Sequence, residues 1–214
     1  MSRKFPWVLN VMLVITVIAV SAQTKQTARV PLISDTPSDP DVAKRFQDTL
    51  SKGGYISNLN RIMANAPKLM TPAGAYASAL RYSSEIPRQY LELMIVRITQ
   101  REGGDYENNL HKQMALSCGV SQAKLDALAN WRKSSSLYEP KERAILAYSD
   151  AMSTKEGPDD ATFQTLSSFF TPGDVVTLTF TNGWYIGHSR ESIALRIPKD
   201  EDLARATQGS SCKK

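Results

Sequence analysis

The chain has 214 residues, 22% of them charged and 42% hydrophobic, with a formal net charge of +5. That length suits one domain with a substantial core. Its basic residues form no stripe and are not interleaved with aromatics, which argues against a nucleic-acid partner. Two cysteines are too few for a disulfide framework.

At the N-terminus, Arg3 and Lys4 precede an apolar stretch from Val8 to Val20 that only Asn10 and Thr16 interrupt. Val20-Ser21-Ala22 then puts small residues before Gln23. This pattern predicts a signal peptide over residues 1–22, cleaved after Ala22, and a secreted or periplasmic product. The stretch is shorter than the about 20 apolar residues of a bilayer span, so no stable membrane anchor is expected after cleavage. Residues 23–38 read as a polar arm or linker, 39–198 as the folded domain, and 199–214 as a polar tail.

Within the domain, Asp39-Pro40 offers a cap and an N1 proline for a helix to about Ser51, which Gly53-Gly54 ends. A short segment, residues 58–65, carries Leu59, Ile62 and Met63. Pro67 and Pro72 begin an alanine-rich stretch reaching Leu80. Pro87 opens a helix to about Arg101 that is apolar almost all round, the mark of a central core helix. Gly103-Gly104 breaks it, and Asp105 is the predicted cap of the next helix, which runs to Cys118. Ser121, Glu139-Pro140 and Asp159 or Asp160 begin three more helices. The last long segment, Val175 to Ile197, opens with β-branched residues that read locally as a strand. No other segment offers it a sheet partner, so a helix is expected. The sum is an all-α single domain of about seven or eight helices.

One constellation stands out. Glu107 and His111 are four apart and share a helix face. Glu92 interrupts the apolar run of the preceding helix. If the two helices form a tight hairpin, Glu92 and His111 reach similar levels and Glu107 lies about one turn away. Two carboxyls and an imidazole so placed suit proton transfer. Two plainer readings stay open: Glu92 as a buried carboxylate paired with Arg88 or Arg97, and Glu107/His111 as an ordinary surface pair. Metal ligation by these three is chemically conceivable, but no paired-histidine signature accompanies them, and no metal is expected. Cys118 reads as a buried small hydrophobe; a bond to Cys212 requires the tail to fold back.

Pro87-Arg88, Leu91-Glu92-Leu93, Ile95-Val96-Arg97, Tyr106-Glu107, His111, Gly119-Val120-Ser121 and the run from Glu142 to Met152 appear in an order and spacing that resembles a known family. Over roughly residues 55–198 the chain is similar to the carboxymuconolactone decarboxylase/alkylhydroperoxidase D-like superfamily. The peroxidase branch of that family carries a Cys-x-x-Cys whose positions here are Gly104 and Glu107. Without those thiols, peroxide reduction is disfavoured, and the Glu-x-x-x-His form resembles the decarboxylase-like branch. That branch usually has tryptophan and a second histidine where Asn108 and Leu110 stand here.

The resemblance implies an alkylhydroperoxidase D-like helical subunit assembled as a homotrimer or homohexamer. It also implies a pocket near the Glu/His site lined by Trp184, Tyr185, His188 and Arg190, with Arg190 suited to a substrate carboxylate. The expected activity is that of a cofactor-free lyase or isomerase acting on a small organic acid or lactone. His111 would give or take the proton, Glu107 would orient or tune it, and Glu92, if partly protonated, would be a second acid/base. The alternative is a non-catalytic small-molecule-binding or assembly protein on the same scaffold.

Overall fold

A computed structural model describes residues 27–208 and residue 212; the expected signal peptide, residues 1–22, lies outside them. The described residues form ten α-helices and one 3-10 helix, and no strand. The all-α expectation holds. The helix number exceeds the expected seven or eight because short helices, of six residues, form at both ends of the domain.

Helix α1 (Pro40–Leu50) starts as the sequence suggests: the Asp39 side chain accepts from the amides of Asp41 and Val42. Helix α2 (Asn58–Met63) is capped by Ser57. Helix α3 (Pro67–Tyr82) begins at Pro67 and runs straight through Pro72. Helix α4 (Arg88–Glu102) is the central element, with every residue from Leu91 to Thr99 buried. It packs against α5 (Asp105–Ser117), α7 (Pro140–Met152) and α9 (Pro172–Leu195). Fully burying a leucine or isoleucine contributes about 1.5–3 kcal/mol. Leu91, Leu93, Ile95 and Ile98 therefore make α4 the element on which the others assemble.

Gly103 ends α4 with a positive φ of 69°, a conformation glycine adopts without steric cost. The cap of α5 is Gly104, one residue earlier than expected, and Asp105 is the first helical residue. Asn108 then donates to the Val96 carbonyl at 2.9 Å and to Thr99 Oγ1 at 3.1 Å. These bonds lock the α4–α5 hairpin in the register that brings Glu92 opposite His111.

Helix α6 (Gln122–Ala127) passes into the 3-10 helix Leu128–Leu137, kinked at Asn130 and Ser134. Helix α8 (Asp160–Ser167) is capped by Asp159. In α9 the Thr-rich start is helical, and each hydroxyl satisfies itself on a carbonyl one turn back. Thr177, Thr179 and Thr181 donate to the carbonyls of Gly173, Val175 and Thr177 at 2.7–3.0 Å. A capping box of Thr171 and Asp174 fixes its start.

Beyond residue 198 the chain folds back over α5. Asp200 is buried and accepts from the Asn58 amide at 2.6 Å and from Tyr106 Oη at 2.8 Å. Helix α10 (Leu203–Gln208) packs on α5, and Cys212 is disulfide-bonded to Cys118. This corrects the reading of Cys118 as a buried hydrophobe: the tail returns to the end of α5, and the two thiols meet there.

Candidate functional site

Helices α4, α5 and α9 converge on a line of alternating basic and acidic side chains. It begins at Arg88, which pairs with Glu92 one turn along α4. Glu92 is fully buried, and its second oxygen contacts His111 Nδ1 at 2.7 Å. His111 Nε2 lies 3.6 Å from Glu107 Oε2. Glu107 Oε1 in turn lies 3.4 Å from Nε2 of His188 on α9. His188 Nδ1 contacts Glu191 Oε2 at 2.7 Å, and Glu191 is 62% exposed. The line therefore runs from the core to solvent.

The structure thus brings together Glu92, Glu107 and His111 and adds His188. Each imidazole has a carboxylate on Nδ1 at hydrogen-bond distance, which fixes the ring and leaves Nε2 to face Glu107. The two contacts to Glu107 are longer than the about 2.7–2.9 Å of a charge-assisted hydrogen bond. Glu107 Oε1 has no hydrogen-bond partner among the described residues. A buried carboxyl oxygen without such a partner is costly and marks a place where a proton or a polar group can be received.

Burial by itself pushes the Glu92 carboxyl up, but the His111 imidazole and the Arg88 guanidinium outweigh it and hold it below the ordinary carboxylate value. Glu92 is therefore an anion that orients His111, which corrects the expectation of a partly protonated second acid. At His188 burial pushes the imidazole down; the hydrogen bond to Glu191 and the charges of Glu107 and Glu191 outweigh it and raise the group above its ordinary value.

Tyr185 is buried, with its ring edge-on to His111 at 4.8 Å. Burial pushes its phenol well up, so it packs as a neutral wall behind the imidazole. Trp184 stacks on His188 with ring centres 5.0 Å apart. Arg190 is not at this site. It donates to Glu102 at 2.6 Å, and its side chain is 67% exposed. Two residues past His188, about 200° around α9, it faces the outer surface.

Beside the line lies a cavity of about 220 Å³ whose wall includes His188, Arg81, Trp184, Leu110 and Met114. His111 and Tyr185 stand behind that wall, so the imidazole facing the cavity is His188. Sequence reasoning did not find Arg81, which ends α3, because nothing in its own stretch signals the contact. Among the described residues no group of three or more His, Cys, Asp or Glu side chains is arranged to hold a metal ion.

Comparisons with known proteins agree with this architecture. Residues 67–151 match the family model described as the carboxymuconolactone decarboxylase family. Three solved structures share the fold. An alkylhydroperoxidase AhpD core, an uncharacterized peroxidase-related protein from Ralstonia eutropha JMP134, superposes with a TM-score of 0.73 at 17% identity, covering 87% of this chain and 98% of that one. An uncharacterized peroxidase-related protein from Silicibacter sp. TM1040 gives 0.72 at 15%, covering 86% and 97%. The debrominase Bmp8, solved with 2,3,4-tribromopyrrole, gives 0.66 at 19%, covering 86% and 99%. A comparison with curated proteins gave no match.

Proposed function

We propose that this chain, whose residues 67–151 match the carboxymuconolactone decarboxylase family model and whose fold is AhpD-like, is a member of that superfamily and an acid–base enzyme that moves a proton on a small organic acid or lactone without a cofactor. The supporting observation is the pair of carboxylate-oriented imidazoles that share Glu107. Glu191 occupies Nδ1 of His188, so Nε2, whose 3.4 Å approach to Glu107 is too long for a charge-assisted hydrogen bond, is the nitrogen left to exchange a proton with substrate in the adjoining cavity. Glu107 stabilises the imidazolium that results, and His111, held by Glu92, stabilises Glu107 from behind. An imidazole acting this way contributes about 10²–10⁴-fold to a proton-transfer step. Loss of CO₂ from a lactone whose carboxylate sits on the carbon next to the ring carbonyl, or conjugated with it through a double bond, passes through an enolate, as does migration of a double bond, and both need a proton delivered to carbon afterwards.

The absence of thiols at Gly104 and Glu107 separates this chemistry from peroxide reduction. Export to an oxidising compartment belongs to the same proposal. The Cys118–Cys212 bond supports it, since disulfides persist mainly in such compartments. So does assembly into a homotrimer or homohexamer, for which exposed Phe163, Val176 and Phe180 supply an apolar surface.

The test is deuterium wash-in. Purified protein is incubated in D₂O with a panel of small organic acids and lactones, and proton NMR follows the carbon-bound hydrogens. The proposal expects exchange or turnover of at least one compound, falling at least about 100-fold in His188→Gln. Failure of every compound, or equal exchange in the variant, would favour a binding or assembly role on this scaffold.

A further inference from the structure

The cavity beside His188 has a chemistry that narrows its ligand further than the acid–base reading does. Arg81 stands in its wall, half-buried at the end of α3. Its Nε donates to the Ala77 carbonyl at 3.2 Å, which orients the guanidinium plane. Among the described residues Arg81 has no carboxylate within ion-pair distance, unlike Arg88, Arg97 and Arg190. Its guanidinium lies 5.5 Å from the centre of the Tyr82 ring, and Tyr185, Glu92 and Glu107 act on it only through the field they set up from behind the wall. A guanidinium with its outer nitrogens uncommitted is a bidentate site for a carboxylate.

The rest of the wall is largely apolar, with Ser57 and Asn60 as its polar members besides His188 and Arg45. Met63, Met70 and Met114 line it with thioethers, and Trp184 closes one side with the ring that stacks on His188. Methionine walls adapt to irregular apolar shapes and offer no strong hydrogen bonds. The volume, about 220 Å³, is below the about 300–1,000 Å³ typical of pockets for drug-sized ligands. A single ring or a short chain fills it. Arg45, exposed on α1, sits at the same cavity and adds positive potential where an anion would arrive.

From this we infer that Arg81 is the anion-holding residue of the site and that its ligand is a small monocarboxylate with an apolar body, an aromatic or short aliphatic acid. The carboxylate pairs with Arg81, the body lies against the methionines and Trp184, and the carbon next to the carboxylate comes to the Nε2 side of His188. A short dicarboxylate fits poorly, because a second charge turned away from Arg81 and Arg45 would lie against the thioethers without a partner. This inference rests on the acid–base reading for its meaning but not for its test, which reads binding alone.

The probes are benzoate, hexanoate, succinate and hexanol, titrated into the folded protein by calorimetry with Trp184 fluorescence as a second readout. Benzoate or hexanoate is expected to bind at least ten-fold more tightly than succinate or hexanol. Arg81→Gln is expected to weaken that binding at least ten-fold, Arg81→Lys less, and Arg190→Gln not at all. Circular dichroism and thermal melting of each variant establish that it is folded, and Arg81→Lys carries the test if Arg81→Gln is not. Equal affinity for succinate, unchanged binding in a folded Arg81 variant, or no binding of any probe would overturn the inference. Tight benzoate binding without deuterium exchange would instead sink the acid–base reading and leave this assignment standing.

Discussion

Ser189 on α9 occupies the space that a side chain at Gly104 would need. A Cβ built on Gly104 would lie 2.4 Å from Ser189 Oγ and 2.6 Å from its Cβ. The start of α5 thus approaches α9 as closely as it does only because residue 104 is glycine, and this approach helps bring Glu107 to His188. Gly104 is also where the peroxidase branch of the superfamily has a cysteine. Gly104→Ala is expected to cost about 1–3 kcal/mol, the usual penalty for overpacking a tight contact, read by urea unfolding. Ser189→Ala should not rescue it, because the Cβ contact stays. A Gly104→Ala variant as stable as the wild type would show that the two helices part easily.

Removing Arg88 leaves a buried anion paired only with His111. Arg88→Met is expected to destabilise the fold by about 3 kcal/mol near neutral pH, because breaking a buried pair strands the remaining charge. The folded-state carboxyl of Glu92 lies below its ordinary value of 4.5. Its contribution is therefore present above about that pH and is lost as pH falls through the folded value. The difference between wild type and variant should shrink on acidification. A constant difference from pH 7 to pH 3 would contradict this account of Glu92.

His188 shows the opposite sign. Its folded-state value is raised above 6.5. The stabilisation from Glu191 and Glu107 is fully present below the unfolded value and is lost as pH rises through the folded one. An NMR titration of the His188 ring should give a midpoint above that of an unstructured histidine. In Glu191→Gln, without the hydrogen bond at 2.7 Å, the midpoint should fall. An unchanged midpoint would mean that Glu191 does not govern the ring.

The Cys118–Cys212 bond ties residues 94 apart. It holds α10, whose Ala206 belongs to the cavity wall. Reduction, or the double Cys118→Ser/Cys212→Ser variant, is expected to cost about 2–5 kcal/mol. It should also speed amide hydrogen exchange in α10 while leaving α4 protected. Unchanged protection in α10 would show that Asp200 and Tyr106 hold the segment without the disulfide.

The sequence made the local part of this structure legible and left the convergent part hidden. The all-round apolar character of α4 marked it as central, and the i,i+4 spacing of Glu107 and His111 with Glu92 one hairpin away put three site residues on facing helices. Arg88 entered only as a candidate structural partner, because a helix pattern does not say whether an adjacent arginine serves packing or charge orientation. The meeting of His188 with Glu107 depends on how α9 crosses α5, which no local pattern encodes. Arg190 was misplaced for a related reason: neighbours on a helix point about 100° apart, so the two residues from His188 to Arg190 turn its side chain about 200°, to the outer face. Arg81 contributes through a tertiary approach alone.

Glu107 is shared by two oriented imidazoles, and in the proposed chemistry this trio moves a proton. Deuterium wash-in with Glu107→Gln tests it most directly, because both histidines and their outer carboxylates remain while the shared charge is removed. The account predicts that carbon-bound exchange falls at least about 100-fold in a variant whose melting curve and His188–Glu191 contact are retained. Exchange at the wild-type rate in that folded variant would contradict it.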